Sequence, residues 1–130
     1  MPRTIQRFAH EGDAWSMVSD WALNAGLKLT HEFEDLRVYK ATNIFYPGVF
    51  EIAQQAGFLK IEAYIRVAYW VRLCYGLLIP SEMSIDPAGV PWWIRGSSLT
   101  SWQKPGERAD IYRRNLNLLL NVLGQPQLEA

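Results

Sequence analysis

The sequence predicts an α+β fold, in which an antiparallel sheet of about five strands carries one packed helix from each end of the chain. Two observations lead to this prediction. Positions 59–67 alternate between apolar and polar side chains, which is the period-two pattern of a strand with one buried face. Segments 13–25 and 107–123 instead repeat their apolar residues at spacings of three and four, as helices with one buried stripe do.

The composition is that of a single globular domain covering residues 1–130. Of the 130 residues, 49% are hydrophobic, which is enough for one core and too apolar for a disordered chain. The 13 basic and 13 acidic side chains give a formal net charge of zero. We therefore expect neither a nucleic acid nor an anionic membrane surface as a partner.

The first predicted helix covers residues 13–25 and follows a lead-in, residues 1–12, for which no element is predicted. Asp13 is a candidate N-cap because its short side chain can accept a hydrogen bond from a free N–H of the first turn. Gly26 is a candidate C-terminal stop because glycine readily adopts the left-handed conformation that ends many helices.

The strands are predicted next. Residues 27–43 indicate two strands around a polar hinge at 32–35, and residues 49–54 indicate a short third strand. Residues 55–57 have the length of a hairpin connection and lead into the central strand. This order of short connections favours antiparallel neighbours.

The apolar run at 68–79 leaves two alternatives open, a buried helix or a continuation of the central strand. Pro80 ends either one. Residues 83–85 and 90–95 predict further strand segments, separated by a turn.

The second long helix is predicted over residues 107–123 and is closed by Gly124. Its apolar residues cover more than half of the helix circumference, whereas a helix on one sheet needs a stripe of about 100°. This helix should therefore be buried on two sides or completed by a second subunit. Asn115 falls inside the apolar arc and would need hydrogen-bond partners there.

No metal site, cofactor site or catalytic residue is predicted. His10 and His31 are isolated, and Cys74 is the single cysteine, in an apolar run where it should pack as a small hydrophobe. Phosphate-binding loops, dinucleotide fingerprints and nucleophile elbows are absent from the sequence. These absences favour a binding protein over an enzyme.

A candidate contact surface lies on the outward side of the central strand. Glu62, Tyr64 and Arg66 share that side, and Trp70 and Arg72 would join it if the strand continued past position 67. Trp, Tyr and Arg are enriched at interaction hot spots, so these five residues are the predicted ligand or partner surface. The alternative is an ordinary solvated face with a weak ion pair.

Four segments occur in a recognisable order. They are Phe50-Glu51-Ile52, Ile61-Glu62-Ala63-Tyr64-Ile65-Arg66, Pro80-Ser81-Glu82-Met83-Ser84-Ile85, and Asn117-Leu118-Leu119 followed by Leu123-Gly124-Gln125-Pro126. The chain resembles a family of small uncharacterised bacterial proteins with a Leu-Glu-Ala-Trp-Val-Arg-like strand, a Pro-x-Glu-Met turn and a Leu-Gly-Gln-Pro C-terminus, although Tyr64 stands where Trp is common. It is also similar in style to orphan proteins of mobile gene cassettes. This resemblance implies kinship and assigns no activity.

Together these features predict a cytoplasmic binding or protein-interaction module that forms a homodimer. No long apolar segment opens the chain, and the charges within residues 58–79 outweigh the tendency of that block to enter a membrane. The alternative function is a small-molecule-binding protein or minor enzyme. It would hold a small apolar or aromatic ligand in a pocket between sheet and helix, with Glu62 and Arg66 as polar anchors.

Overall fold

A computed structural model describes residues 3–10, 12–43, 46–55, 57–74, 81–85, 105–126 and 128. In chain order the elements are β1 (Thr4–Ala9), α1 (Trp15–Asn24), β2 (Lys28–Glu32), β3 (Leu36–Ala41), β4 (Gly48–Gln55), β5 (Phe58–Arg66), α2 (Tyr69–Cys74), β6 (Glu82–Met83) and α3 (Pro105–Val122). The predicted α+β class is confirmed, because an antiparallel sheet is combined with a helix near each end of the chain.

The sheet is organised around β5. The strand order is β1-β5-β4-β3-β2, every pair is antiparallel, and β6 pairs with the end of β5 beyond β1. The predicted hairpin between the third strand and the central strand is confirmed, with Gly57 in the left-handed conformation at φ 84°. The central strand therefore has partners along both edges.

β1 was not predicted, and it accounts for the extra strand. Its inward side chains are Thr4, Gln6 and Phe8, which lie opposite buried residues of β5, whereas Ile5 points to the other face. Two of the three inward side chains are polar, so the sequence has no apolar alternation to indicate a strand. The pairing with β5, rather than the strand's own pattern, accounts for its position.

The alternation predicted for the central strand is confirmed. Leu59, Ile61, Ala63 and Ile65 are fully buried on the side that faces α1 and α3. Burial of each large aliphatic side chain contributes about 1.5–3 kcal/mol relative to leaving it exposed. The core therefore lies between this face of the sheet and the two long helices.

Aromatic rings join both helices to the sheet. The ring centroid of Phe50 lies 5.4 Å from that of Trp21 in α1 and 6.2 Å from that of Tyr112 in α3, both edge to face. The Trp21 indole N–H also donates a hydrogen bond of 2.7 Å to the backbone carbonyl of Asn115, a half-buried residue of α3. The two helices are thus fixed to each other as well as to the sheet.

Tyr112 lies directly against the start of β4. Its hydroxyl donates a hydrogen bond of 2.6 Å to the carbonyl of Tyr46, and its ring covers Gly48. A Cβ at position 48 would be 2.8 Å from ring atoms of Tyr112, closer than side chains tolerate. Glycine at this position is what permits the close approach of helix and strand.

The predicted helix boundaries are largely confirmed. The N-cap of α1 is Ala14 and not the predicted Asp13, so α1 has no side-chain capping bond at its N-cap. Asp13 lies one residue earlier, and its carboxylate accepts a hydrogen bond of 2.9 Å from the backbone N–H of Trp15. Gly26 and Gly124 follow the two long helices with φ of 71° and 73°. Both therefore end their helices in the left-handed conformation that the sequence predicts.

The ambiguous segment begins as a helix. Tyr69–Cys74 form α2, so the central strand does not continue past Arg66, and residues 75–79 lie outside the described part of the chain. The strand segment predicted at 83–85 overlaps β6 only at Met83, because β6 covers Glu82–Met83, and the segment predicted at 90–95 lies outside the described residues. Among the described residues, none of the helices has the combination of length and hydropathy needed to span a bilayer.

Candidate functional site

The side of the sheet opposite α1 and α3 is rich in charged side chains, and we call it the charged face. Cross-strand partners share a face, so the pairings place Lys28, Lys40, Val49 and Tyr64 in one row across β2 to β5. Alternate side chains of these strands point to this face, and the others point towards the helices. The central strand thus supplies the core on one side and this polar surface on the other.

Arg3 is the centre of an ion-pair network on the charged face. Its Nε and Nη2 atoms each lie 3.0 Å from one carboxylate oxygen of Glu82, and its Nη1 lies 2.8 Å from Glu51 and 3.6 Å from Glu62. The guanidinium also lies 4.0 Å from the centroid of the Tyr64 ring, in cation–π contact. One cation therefore holds three carboxylates and one aromatic ring in place.

The network shifts the titration of its members in opposite directions. Hydrogen bonds from Arg3 lower the pKa of the Glu82 carboxyl, so this group stays ionised. Burial raises the pKa of the Tyr64 hydroxyl, and the adjacent carboxylate of Glu51 raises it further. Tyr64 therefore keeps its proton at neutral pH.

A cleft of about 370 Å³ lies on the charged face over β2 to β5, and we call it the sheet cleft. Its lining consists of Arg3, Thr30, His31, Val38, Lys40, Val49, Glu51, Tyr64 and Arg66. Val38, Val49 and the Tyr64 ring supply apolar surface among these polar groups. Small-molecule sites have this mixture of surfaces and volumes of about 300–1,000 Å³.

A second cleft of about 520 Å³, here the end cleft, lies where β5 leads into α2. Lys40 and Arg66 line both clefts, which places these two residues at their junction. Arg72 of α2 is a third cation in the end cleft, and Glu82, which is held by Arg3, is its carboxylate. Among the described residues, no group of histidine, cysteine and carboxylate side chains could hold a metal ion.

The chain matches no family model, no curated protein and no solved structure. The resemblance to the small bacterial family stays a prediction. The geometry of the clefts and the chemistry of their side chains therefore provide the functional argument.

The five residues of the predicted surface separate into two groups. Glu62, Tyr64 and Arg66 share the charged face, where Tyr64 and Arg66 line the sheet cleft and Glu62 belongs to the Arg3 network. Trp70 and Arg72 lie on α2, because helix replaces the strand on which the prediction placed them. Arg72 still meets Arg66 in the end cleft, whereas Trp70 lines neither cleft.

The sequence also contained a signal for residues that the prediction missed. With the predicted hairpin at 55–57, Glu51 of β4 lies directly opposite Glu62 of β5, as the structure has it. Two carboxylates in such positions repel each other unless a cation lies between them. That cation is Arg3, and it went unnoticed because no strand was predicted in residues 1–12. Glu82 was missed for the same reason, since it faces Arg3.

Proposed function

We propose that this protein binds a small organic ligand in the sheet cleft, with an apolar part of the ligand against Val38, Val49 and the ring of Tyr64. The observation that carries the proposal is a cleft of about 370 Å³ in which apolar surface is combined with polar side chains, among them the ion pair of Arg3 with Glu51. This cleft favours the small-molecule alternative over a flat interaction surface. It lies on the opposite side of the sheet from α1 and α3, not between sheet and helix.

The floor of the cleft is rigid before any ligand arrives. Tyr64 is only 2% exposed, and the Arg3 guanidinium is packed against its ring. Val38 and Val49 lie on β3 and β4, each of which has a partner strand on both sides. A site with few side chains left to order loses less entropy on binding, which favours affinity for small ligands.

A fragment screen by NMR tests this proposal. Aromatic and aliphatic fragments are added to the isotope-labelled full chain, and the expected result is a set of amide shift changes centred on residues 38, 49 and 64. Val38→Phe should fill the cleft and weaken the fragments it binds by about tenfold, the equivalent of about 1.4 kcal/mol.

Leu36→Phe is the matched control, because Leu36 lies on the same strand and the same face but does not line the cleft. Thermal melts of both variants show that each is folded. The proposal is overturned if no fragment shifts the cleft amides, or if both variants bind the fragments equally well.

A second candidate function, self-association, is favoured by the helical side of the molecule. Leu118 and Val122 of α3 are 57% and 53% exposed, and Leu23 of α1 is 80% exposed. Leu118 and Val122 also line a groove of about 350 Å³ between the two helices, in which Asp20 is the charged residue. We propose that a second copy of this chain covers this side, because exposed apolar side chains beside a groove are typical of an interaction site, and a twofold axis brings the same patch of both copies together.

Light scattering during gel filtration at micromolar concentration tests the homodimer. The expected result is a dimer for the unmodified chain and a monomer for Leu118→Lys, which places a charge in the groove. Leu73→Lys is the control, since Leu73 is an exposed leucine on α2, away from this groove. A monomeric unmodified chain, or an unchanged dimer in Leu118→Lys, contradicts the proposal.

A further inference from the structure

We propose that the ligand of the sheet cleft carries an anionic group, a carboxylate or a phosphate, and that Lys40 and Arg66 bind this group where the two clefts meet. This inference rests on the proposed function and adds the chemical class of the ligand. The ligand would then be amphipathic, with its apolar part on the floor of the sheet cleft.

On the charged face, the carboxylates are paired with Arg3, away from the cationic groups of Lys40 and Arg66. Glu51 in the sheet cleft and Glu82 in the end cleft both pair with Arg3. Lys40 and Arg66 line both clefts, and no carboxylate of the described residues lies within 4.0 Å of either cationic group. Glu82 lies directly opposite Arg66 in the pairing of β5 with β6, but its carboxylate oxygens accept hydrogen bonds from Arg3. The chain as a whole is neutral, so this local cationic surface arises because the acids that line the clefts are hydrogen-bonded to Arg3 and not to Lys40 or Arg66.

Lys40 lies directly opposite Lys28 in the pairing of β2 with β3. Like charges in directly opposed positions destabilise a sheet. Lys60, which lies opposite Arg7, has the carboxylate of Glu62 within 3.9 Å, whereas no such ion pair joins Lys40 to a described residue. A bound anion would supply the missing countercharge.

The spacing of the strands places Lys40 and Arg66 within reach of one ligand group. Lys40 pairs with Val49 on the next strand, and Val49 pairs with Tyr64 on the strand after that. The backbones of Lys40 and Tyr64 are therefore separated by two strand spacings, roughly 10 Å. Arg66 is the next residue after Tyr64 on the same face of β5. The long side chains of Lys40 and Arg66 can therefore approach one group from two sides. The planar arginine head offers paired N–H donors that fit a carboxylate or a phosphate.

NMR titration of the full chain with probes that share one apolar part tests the inference. The probes are benzoate, phenyl phosphate and neutral benzyl alcohol, with inorganic phosphate as the anion without an apolar part. We expect one of the two aromatic anions to bind at least tenfold more tightly than benzyl alcohol, and to weaken as salt is added. The preferred anion then identifies the ligand as a carboxylate or a phosphate ester.

Three variants test which cationic side chains bind the anionic group of the probe. Lys40→Gln and Arg66→Gln should each weaken the preferred anion by about tenfold, because each removes a charge-assisted hydrogen bond, and each should weaken benzyl alcohol much less than the anion. Lys60→Gln is the matched control, since Lys60 shares the strand and face of Arg66 but lies outside both clefts.

The outcomes separate this inference from the function on which it rests. If benzyl alcohol shifts the cleft amides as strongly as the anions do, and Arg66→Gln changes nothing, the anionic class is overturned while the small-molecule site stands. If no probe shifts the cleft amides, both proposals are overturned.

Discussion

The two faces of the sheet are built from alternate residues of the same strands but are held in different ways. On the face that α1 and α3 cover, β5 contributes Leu59, Ile61, Ala63 and Ile65, all fully buried. On the charged face its side chains are more mixed, because Tyr64 is 2% exposed beneath Arg3 whereas the Glu62 side chain is 21% exposed. Apolar area stabilises the first face, whereas ion pairs to Arg3 order the second.

This difference separates stability from binding. Apolar burial is non-directional and depends on area, so a loss in the core should reduce the free energy of unfolding wherever it occurs. Ion pairs between partly exposed groups contribute little stability but fix the positions of side chains. Substitutions on the covered face should therefore change folding, and substitutions on the charged face should mainly change what the protein binds.

The largest expected difference in the free energy of unfolding is between substitutions of Ile61 and Lys60, which are neighbours in β5 and point to opposite faces. Ile61→Ala should lower the free energy of unfolding by about 2–5 kcal/mol, because it removes a fully buried side chain and leaves a cavity. Lys60→Ala should change it by only about 0.5 kcal/mol, since its ion pair with Glu62 is long, at 3.9 Å, and partly exposed. Urea denaturation measures both, and equal losses would contradict the contrast between the faces.

A somewhat smaller effect is expected where α3 meets the sheet. Gly48→Ala should cost about 1–3 kcal/mol, because its Cβ would be 2.8 Å from the ring of Tyr112. The double variant with Tyr112→Ala removes the clash, so the two losses should not add. Additive losses in denaturant titrations would show that the contact does not restrict position 48.

On the charged face, Arg3→Met should lower the free energy of unfolding by about 1–2 kcal/mol at neutral pH. The substitution leaves Glu51 and Glu62 opposite each other with Glu82 nearby, and among the described residues the cation still within 4.0 Å of them is Lys60, at 3.9 Å from Glu62. Added salt should restore part of the loss because it screens the repulsion. Arg7→Met is the control, since Arg7 is the next outward arginine of β1 and is absent from this network, and it should have little effect.

The smallest expected effect is a difference between the unmodified chain and Glu82→Gln in how steeply the melting temperature falls with acid. Arg3 lowers the pKa of Glu82 below its ordinary value of 4.5, so the folded state binds this proton less readily than the unfolded state. The stabilisation is complete above pH 4.5 and is lost as the pH falls through the lower pKa of the folded state. Melting temperatures of Glu82→Gln should therefore fall less steeply with acid than those of the unmodified chain. Parallel curves would show that the pair contributes nothing.

The covered face could be predicted from sequence because its signals are local. The alternation in β5 and the glycines after α1 and α3 each depend on a few consecutive residues. The charged face could be predicted only in part, since Glu62, Tyr64 and Arg66 lie on one strand, whereas Arg3 directly precedes β1 and Glu82 belongs to β6. β1 has polar inward side chains, and the choice of helix for α2 depends on packing that no short pattern contains.

The Arg3 network also determines when the cleft can exist during folding. Arg3 is 48 residues from Glu51 and 79 residues from Glu82 along the chain, so its contacts form only after large loops have closed. A partly folded chain in which β3, β4 and β5 have already paired would have most of its β-sheet signal. Its Arg3 would not yet be paired with Glu51 and Glu82. Affinity for the proposed ligand would then report complete folding more faithfully than circular dichroism does.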